Sequence, residues 1–220
     1  MRERIRRAAE RVNRKAEEIL LVGATKTVDV ERIRRAMAAG VKVFGENRVQ
    51  EAEPKIALIG NGAEWHFIGH LQRNKVKDAF RLFEMVQSVD SLELGLEIEK
   101  RGAQLGRTMR VLVEVNLGGE ESKFGAPVED TLELVRRMAD LPHLSVEGLM
   151  SMPPFLDDPE DSRPYFRALR QLRDEIAGSD VPGVSMRELS MGMTNDFEVA
   201  IEEGATIVRI GTALFGPRRG

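Results

Sequence analysis

The chain has 220 residues, enough for one large domain or two small ones, and its 42% hydrophobic and 31% charged residues are typical of a globular protein rather than a fibrous one. Its 33 basic and 36 acidic side chains leave a formal net charge of -3, so no overall positive field favours nucleic acid or a membrane surface. The absence of cysteine excludes disulfides, iron-sulfur clusters and thiolate zinc sites.

No segment of the sequence predicts a membrane protein. The longest apolar run, Ile19 to Val22, is far shorter than a spanning helix, and the N-terminus alternates Arg and Glu too densely for a signal peptide. A continuous basic face with interleaved aromatic residues, typical of nucleic-acid binding, is also missing. We therefore expect a cytoplasmic protein without a nucleic-acid or membrane partner. Because no apolar face in excess of the core is evident, we expect a monomer.

The first 18 residues place Ile5, Ala8, Val12 and Ala16 at helical spacing, with charged residues elsewhere. This pattern predicts an amphipathic N-terminal helix over residues 1–18 that packs on a larger domain. From residue 19 onward, eight short apolar runs alternate with segments of helical periodicity. The runs cover residues 19–24, 41–45, 65–69, 85–89, 110–115, 144–150, 187–191 and 206–211.

Apolar strands that alternate with helices are typical of parallel sheets, because helices cover both faces and the strands need no polar side. Eight such units fit a single (β/α)8 barrel of the TIM type over residues 1–220, to which the N-terminal helix is added. A doubly wound open sheet shows the same alternation, so the pattern leaves it open. No linker divides the chain, and residues 153–162 are interpreted as an exposed surface loop.

Local signals predict several helix ends. Asp29 is placed to begin a helix that Gly40 ends. Asp90 and Glu93 form a capping-box pattern for a helix that closes near Gly106.

Lys26 follows the first predicted strand, and the functional groups of parallel barrels gather where the strands end. A lysine that burial deprives of its hydration is easily neutralised, and a neutral amine can attack a carbonyl group to form a Schiff base. The alternative is an ordinary strand end, at which the lysine keeps its head in water.

Two glycine-containing turns follow the last two predicted strands. Phosphate groups commonly bind at these turns in barrels, because glycine lets backbone N–H groups approach an anion closely. Gly192 and Gly211 would permit that approach, and Ser190, Thr194 and Thr212 could add hydroxyl donors. The same glycines could equally serve ordinary tight turns that cap helices.

Arg209 alternates with Val208 and Ile210 along the last strand, so its side chain is expected to point into the barrel mouth. A buried arginine needs a partner, and Glu114 on the fifth strand is the candidate for an internal ion pair. The histidines predict no metal site, since His66 and His70 lack a third ligand at metal-binding spacing.

Six segments together resemble the pyridoxal phosphate homeostasis proteins, also called the YggS/PROSC family. They are LVGATK ending at Lys26, FGENRVQE from Phe44, WHFIGHLQRNK from Trp65, VN and ESKFG from Val115, GLMSM from Gly148, and LSMGM to IGTALFG from Leu189. The resemblance covers nearly the whole chain. It implies a single barrel similar to the N-terminal domain of bacterial alanine racemases, in agreement with the eight predicted strands.

The resemblance implies that pyridoxal 5'-phosphate (PLP) is the cofactor and that Lys26 holds it as a Schiff base. Arg209 would face the pyridine nitrogen, where a cation disfavours ring protonation and weakens the ring as an electron sink. Asn47 and His66 would line the pocket, and Lys123 would be a second amine near its entrance. The implied cofactor-binding residues are Lys26, Asn47, His66, Ser190, Met191, Gly192, Thr194, Arg209, Gly211 and Thr212.

The resemblance implies a carrier without substantial amino-acid turnover, which takes part in intracellular PLP homeostasis and could pass the cofactor to PLP-dependent apoenzymes. Two alternatives remain open: a racemase-like PLP enzyme and a Schiff-base aldolase that needs no cofactor. Racemisation of the related type requires a second base, a tyrosine from a further domain, whereas the sole tyrosine here, Tyr165, lies in a helical segment. Visible absorbance that borohydride bleaches would separate the two PLP-binding functions from the aldolase.

Overall fold

A computed structural model describes residues 1–119 and 124–217. Its strands are β1 (Leu20–Ala24), β2 (Val43–Glu46), β3 (Glu64–Phe67), β4 (Met85–Val89), β5 (Met109–Asn116), β6 (Ala126–Pro127), β7 (Leu144–Met150), β8 (Glu188–Ser190) and β9 (Ile207–Ile210). All of these except β6 pair in parallel in chain order, and the β1–β9 and β4–β5 pairings close them into an eight-stranded barrel. The two-residue β6, which the sequence did not predict, pairs with the end of β5.

A helix follows each barrel strand, and one further helix, α1, precedes the first strand. The helices are α1 (Arg2–Arg11), α2 (Val30–Ala38), α3 (Val49–Ile59), α4 (Val76–Leu82), α5 (Leu92–Leu105), α6 (Val128–Ala139), α7 (Arg163–Gly178), α8 (Phe197–Glu202) and α9 (Thr212–Phe215). This alternation confirms the predicted (β/α)8 barrel, and each barrel strand ends within two residues of its predicted limits. Among the described residues, no helix is long and apolar enough to cross a membrane.

The core has two apolar clusters, one on each side of the barrel wall. The larger lies between strands and helices and includes Phe44, Trp65 and Phe166. The smaller fills the barrel interior, with Val22 beside Val43 on neighbouring strands. Side chains alternate across a strand, so every second residue of the barrel wall faces this interior.

The N-terminal helix α1 is shorter than predicted. It ends at Arg11 rather than at residue 18, because Asn13 takes a left-handed φ of 56° and the chain re-enters as a separate 3-10 helix, Ala16–Glu18. Its apolar side packs against α8, where the guanidinium carbon of Arg4 lies 4.7 Å from the ring centroid of Phe197.

One of the predicted helix caps is wrong and another is confirmed. Asp29 caps α2, since its side chain accepts a hydrogen bond from the Arg32 amide. The N-cap of α5 is Ser91 rather than Asp90, and the Ser91 hydroxyl donates to the Asp90 carboxylate instead of capping the helix. The end of α5 at Gly106, in the left-handed region, is as predicted.

Candidate functional site

A cavity of about 530 Å³ opens at the C-terminal end of the barrel. It lies where the loops after β1, β2, β7, β8 and β9 converge, the position at which parallel barrels assemble their functional groups. Six of the ten predicted site residues line it: Lys26, Asn47, Thr194, Arg209, Gly211 and Thr212. The other four do not line the cavity: His66, Ser190, Met191 and Gly192.

Lys26 lies in the turn that follows β1, two residues beyond the strand end. Its side chain is exposed, which agrees with the alternative in which the lysine keeps its head in water rather than with loss of hydration at a buried strand end. The turn itself carries the lysine past the strand and into the cavity mouth. Within the described part of the chain, the Lys26 amine forms no hydrogen bond or ion pair, and the residue lines the cavity.

The loops after β8 and β9 meet beside the cavity. The Thr194 hydroxyl accepts a hydrogen bond from the Ala213 amide at 3.3 Å, which links one loop to the start of α9 in the other. The Leu214 amide donates to the Gly211 carbonyl, whereas the N–H groups of Gly211 and Thr212 have no acceptor among the described residues and are available to an anion in the cavity.

The two predicted glycines differ in what they accommodate. Gly192 has a φ of 89°, and a Cβ there would lie 2.5 Å from the Ala200 Cβ, so the protein's own packing requires glycine. At Gly211 the nearest atom to a Cβ would be the Ala24 oxygen, 3.6 Å away, which is ordinary contact distance. A side chain at Gly211 would therefore enter the cavity rather than the protein.

Arg209 is only 4% exposed and is held by two hydrogen bonds. It donates to the Ser190 hydroxyl and, at 2.9 Å, to the Ser151 carbonyl. Burial lowers the pKa of Arg209 to about 10, so the side chain is still a cation at neutral pH.

Glu114 is not the direct ion-pair partner of Arg209 that the sequence suggested. None of the salt bridges in the described residues joins the two side chains, although each favours the charged form of the other. Burial raises the pKa of Glu114 to about 7, with a further contribution from the nearby charge of Asp90. The interaction between Arg209 and Glu114 is therefore electrostatic, without a hydrogen bond.

His66 lies in the barrel interior, fully buried, rather than at the cavity wall. Its Nε2 lies 2.9 Å from Glu64 Oε1, and this hydrogen bond holds the pKa of Glu64 below its usual range. A carboxylate only accepts, so His66 Nε2 carries a proton and its Nδ1 accepts from Gln87 Nε2 at 2.8 Å. Gln87 Oε1 in turn accepts from the Ser190 hydroxyl at 2.6 Å. This chain connects His66 to Arg209.

Met191 is fully buried in the larger apolar cluster and packs between the barrel and its helices. Lys123, the predicted second amine, lies outside the described residues.

The sequence did not identify the apolar part of the cavity, which Met152, Phe155 and Leu156 contribute from the loop after β7. Phe155 is 76% exposed, so the surface position predicted for this loop is correct, and its apolar residues were the available signal of a binding role.

No group of three or more metal-binding side chains is present among residues 1–119 and 124–217. His66 is committed to Glu64 and Gln87, and His143 Nδ1 to Glu99 at 2.7 Å. The His70 ring stacks on Phe124 with centroids 3.8 Å apart. The polar part of the cavity wall contains the Lys26 amine, the Arg209 cation, hydroxyl and amide side chains, and the Asp196 carboxylate.

Comparisons with known proteins identify relatives over the whole chain. Residues 1–219 match the family described as alanine racemase, N-terminal domain. The pyridoxal phosphate homeostasis protein of Aquifex aeolicus is 51% identical over 218 residues, which cover 99% of this chain and 95% of the relative. The protein of the same name from Escherichia coli is 39% identical over 223 residues, covering 99% and 94%.

Solved structures agree with this relationship. PipY of Synechococcus elongatus with PLP bound superposes with a TM-score of 0.85 at 32% identity, covering 97% of this chain and all of PipY. An alanine racemase of Clostridium difficile, 17% identical with a TM-score of 0.78, shares the fold over 99% of this chain and 56% of its own. The chain therefore belongs to the alanine racemase N-terminal domain family and, within it, to the pyridoxal phosphate homeostasis proteins.

Proposed function

We propose that this chain binds PLP reversibly through a Schiff base on Lys26 and takes part in PLP homeostasis as a carrier rather than an enzyme. The observation that carries the proposal is the placement of a free, exposed lysine amine in the same cavity as the loops after β8 and β9. Support also comes from the relatives, which are named for PLP homeostasis, and from PipY, which has been solved with PLP bound.

The residues of the cavity fit this cofactor. A phosphate needs N–H and O–H donors at a surface that an anion can approach closely, and Gly211, Thr212 and Thr194 offer that chemistry. At position 211 no protein atom comes closer than 3.6 Å to where a Cβ would lie, so the open side of this residue faces the cavity and a ligand can approach its backbone. When bound, the cofactor supplies an aldehyde that condenses with an amine, forming a C=N bond and releasing one water molecule.

The environment of Arg209 supports a carrier. An arginine only donates hydrogen bonds, and at neutral pH this one is charged. Next to a pyridine nitrogen it would stabilise the unprotonated ring, and an unprotonated ring accepts electrons from a carbanion poorly. Arg209 is also locked in place, since Ser190 and Ser151 hold both terminal nitrogens. The recipients of the cofactor would be PLP-dependent apoenzymes.

Absorbance spectra of the purified protein with added PLP test the proposal. The wild type is expected to develop a visible band that borohydride bleaches, and Lys26→Ala is expected to lose it. Lys42→Ala is the matched control, because Lys42 is also exposed but precedes β2 at the opposite end of the barrel. An unchanged band in Lys26→Ala, or no band in the wild type, would contradict the proposal.

A further inference from the structure

A buried ionic cluster lies directly behind the turn that carries Lys26. Its centre is Lys55 on α3, which is 8% exposed. The Lys55 ammonium lies 2.7 Å from each of three acceptors, Glu46 Oε1, Glu51 Oε1 and the Thr25 carbonyl oxygen. An ammonium has three donors, so this lysine is saturated by contacts within the protein. It is therefore not a second candidate for attack on a carbonyl.

The cluster holds the peptide groups on both sides of Lys26. The Thr25 carbonyl, which belongs to the peptide bond before Lys26, accepts from Lys55 Nζ. The Thr27 N–H, which belongs to the peptide bond after Lys26, donates to Glu51 Oε1. One ion pair, Lys55 with Glu51, thus fixes the backbone on each side of the Lys26 Cα.

The turn needs this support because its backbone is unusual. Thr27 has a φ of 62°, in the left-handed region that a β-branched residue rarely adopts. Burial opposes the ionisation of Glu51, but hydrogen bonds from Lys55 and Thr27 outweigh it and lower the pKa of Glu51. A charged acceptor therefore holds the strained residue at neutral pH.

Glu46 anchors the other side of the cluster. Its side chain is fully buried, and its Oε1 accepts from Lys55 and, at 2.6 Å, from the Thr25 hydroxyl. Thr25 also donates its amide to the Gly45 carbonyl of β2, so the residue before Lys26 is held at three points. The residue that must react is exposed, while its neighbours on both sides are fixed.

We propose that Lys55 and Glu51 are positioning residues that hold the Lys26 turn and aim its amine at a carbonyl group bound in the cavity. This inference rests on the proposed function, since it assumes that Lys26 forms the Schiff base. The two residues act through backbone position alone and touch no ligand. Removing them should slow the condensation on Lys26 without weakening the grip on a phosphate, which is bound by the loops after β8 and β9.

The test compares two ligands on the same variants. Stopped-flow absorbance gives the rate of Schiff-base formation with PLP, and equilibrium dialysis gives the affinity for pyridoxine 5'-phosphate, which has the phosphate but no aldehyde. Lys55→Met is expected to slow the first by about tenfold or more, since a misplacement of about 1 Å costs reactions of this kind up to a hundredfold. The affinity for pyridoxine 5'-phosphate is expected to stay within twofold of the wild type.

Glu51 supplies a second pair of variants in case Lys55→Met does not fold. Glu51→Gln keeps an oxygen acceptor for the Thr27 N–H, whereas Glu51→Ala removes it, so the rate is expected to fall more in Glu51→Ala. Glu203→Gln, which removes a buried carboxylate bound by Arg163 and Arg167, controls for general loss of stability and should react at the wild-type rate.

Each result decides the inference. A wild-type rate in folded Lys55→Met or in Glu51→Ala would overturn the positioning role, and the proposed function would stand. An equal loss of rate and of pyridoxine 5'-phosphate affinity would also overturn it, because the cluster would then support the whole site. Absence of a Schiff base in the wild type itself would overturn both proposals.

Discussion

Replacing Gly211 with leucine should abolish tight PLP binding while the protein stays folded. A Cβ at this position meets only Ala24, with its oxygen at 3.6 Å and its Cβ at 3.8 Å, so the rest of the side chain must extend into the cavity. There it would keep an anion from the N–H groups of Gly211 and Thr212, which have no acceptor among the described residues. The loss of two hydrogen bonds to a charged group, each worth about 1.5–3 kcal/mol, predicts an affinity lower by more than about a hundredfold.

Equilibrium dialysis with PLP and thermal unfolding of the same samples provide the measurement. Gly192→Ala is the matched control, because its Cβ would lie 2.5 Å from the Ala200 Cβ at a φ of 89° and outside the cavity lining. That variant should lose about 1–3 kcal/mol of stability through backbone strain and packing. Wild-type affinity in Gly211→Leu, or loss of its fold, would show that position 211 does not face a bound phosphate.

Three further predictions follow from the same site. Thr212→Ala should weaken PLP binding by only about 1–2 kcal/mol, since backbone donors remain; equal affinity of the wild type for PLP and for pyridoxal would contradict a phosphate site. L-Alanine incubated with the PLP-loaded protein in heavy water should exchange its α-proton barely faster than with free PLP, as followed by NMR, and fast exchange that Lys26→Ala abolishes would indicate an enzyme. Glu114 has a folded pKa of about 7 against an ordinary value of 4.5, so its contribution to stability falls as the pH rises from about 4.5 to 7. That loss amounts to about 3 kcal/mol, and Glu114→Gln should remove it. The free energy of unfolding of the variant, measured relative to the wild type, should therefore be higher at pH 8 than at pH 5. The same difference between variant and wild type at both pH values would contradict a buried charge at Glu114.

The barrel could be predicted from the sequence because its strands are buried on both faces. Runs such as Val111 to Val113 are continuously apolar and separated by helical periodicity, and each predicted run coincides with a strand. The closure of the sheet could not be predicted from this pattern, since an open sheet shows the same alternation of apolar strands and helices. The β4–β5 and β1–β9 pairings, which depend on contacts far apart in the chain, decide between them.

The candidate site was predicted in part, for reasons that differ by residue. Arg209 was located by strand alternation, since Val208 and Ile210 pack outward. Trp65 and Phe67 pack outward, so the same alternation places His66 in the barrel interior. Alternation does not indicate how far along the barrel axis a side chain lies, so the distance of His66 from the cavity could not be predicted. The turn that carries Lys26 is bonded to Lys55, whose Nζ donates to the Thr25 carbonyl from 30 positions further along the chain, a contact that local sequence does not reveal.

Peptide mapping after borohydride reduction shows which lysine of this chain holds PLP. The protein is loaded with PLP, reduced, digested and examined by mass spectrometry, with Lys26→Ala treated in parallel. We expect one dominant modified peptide, which contains Lys26, and its absence from the variant. Modification mainly of Lys123, Lys55 or another lysine in the wild type, or no modification at all, would contradict this expectation.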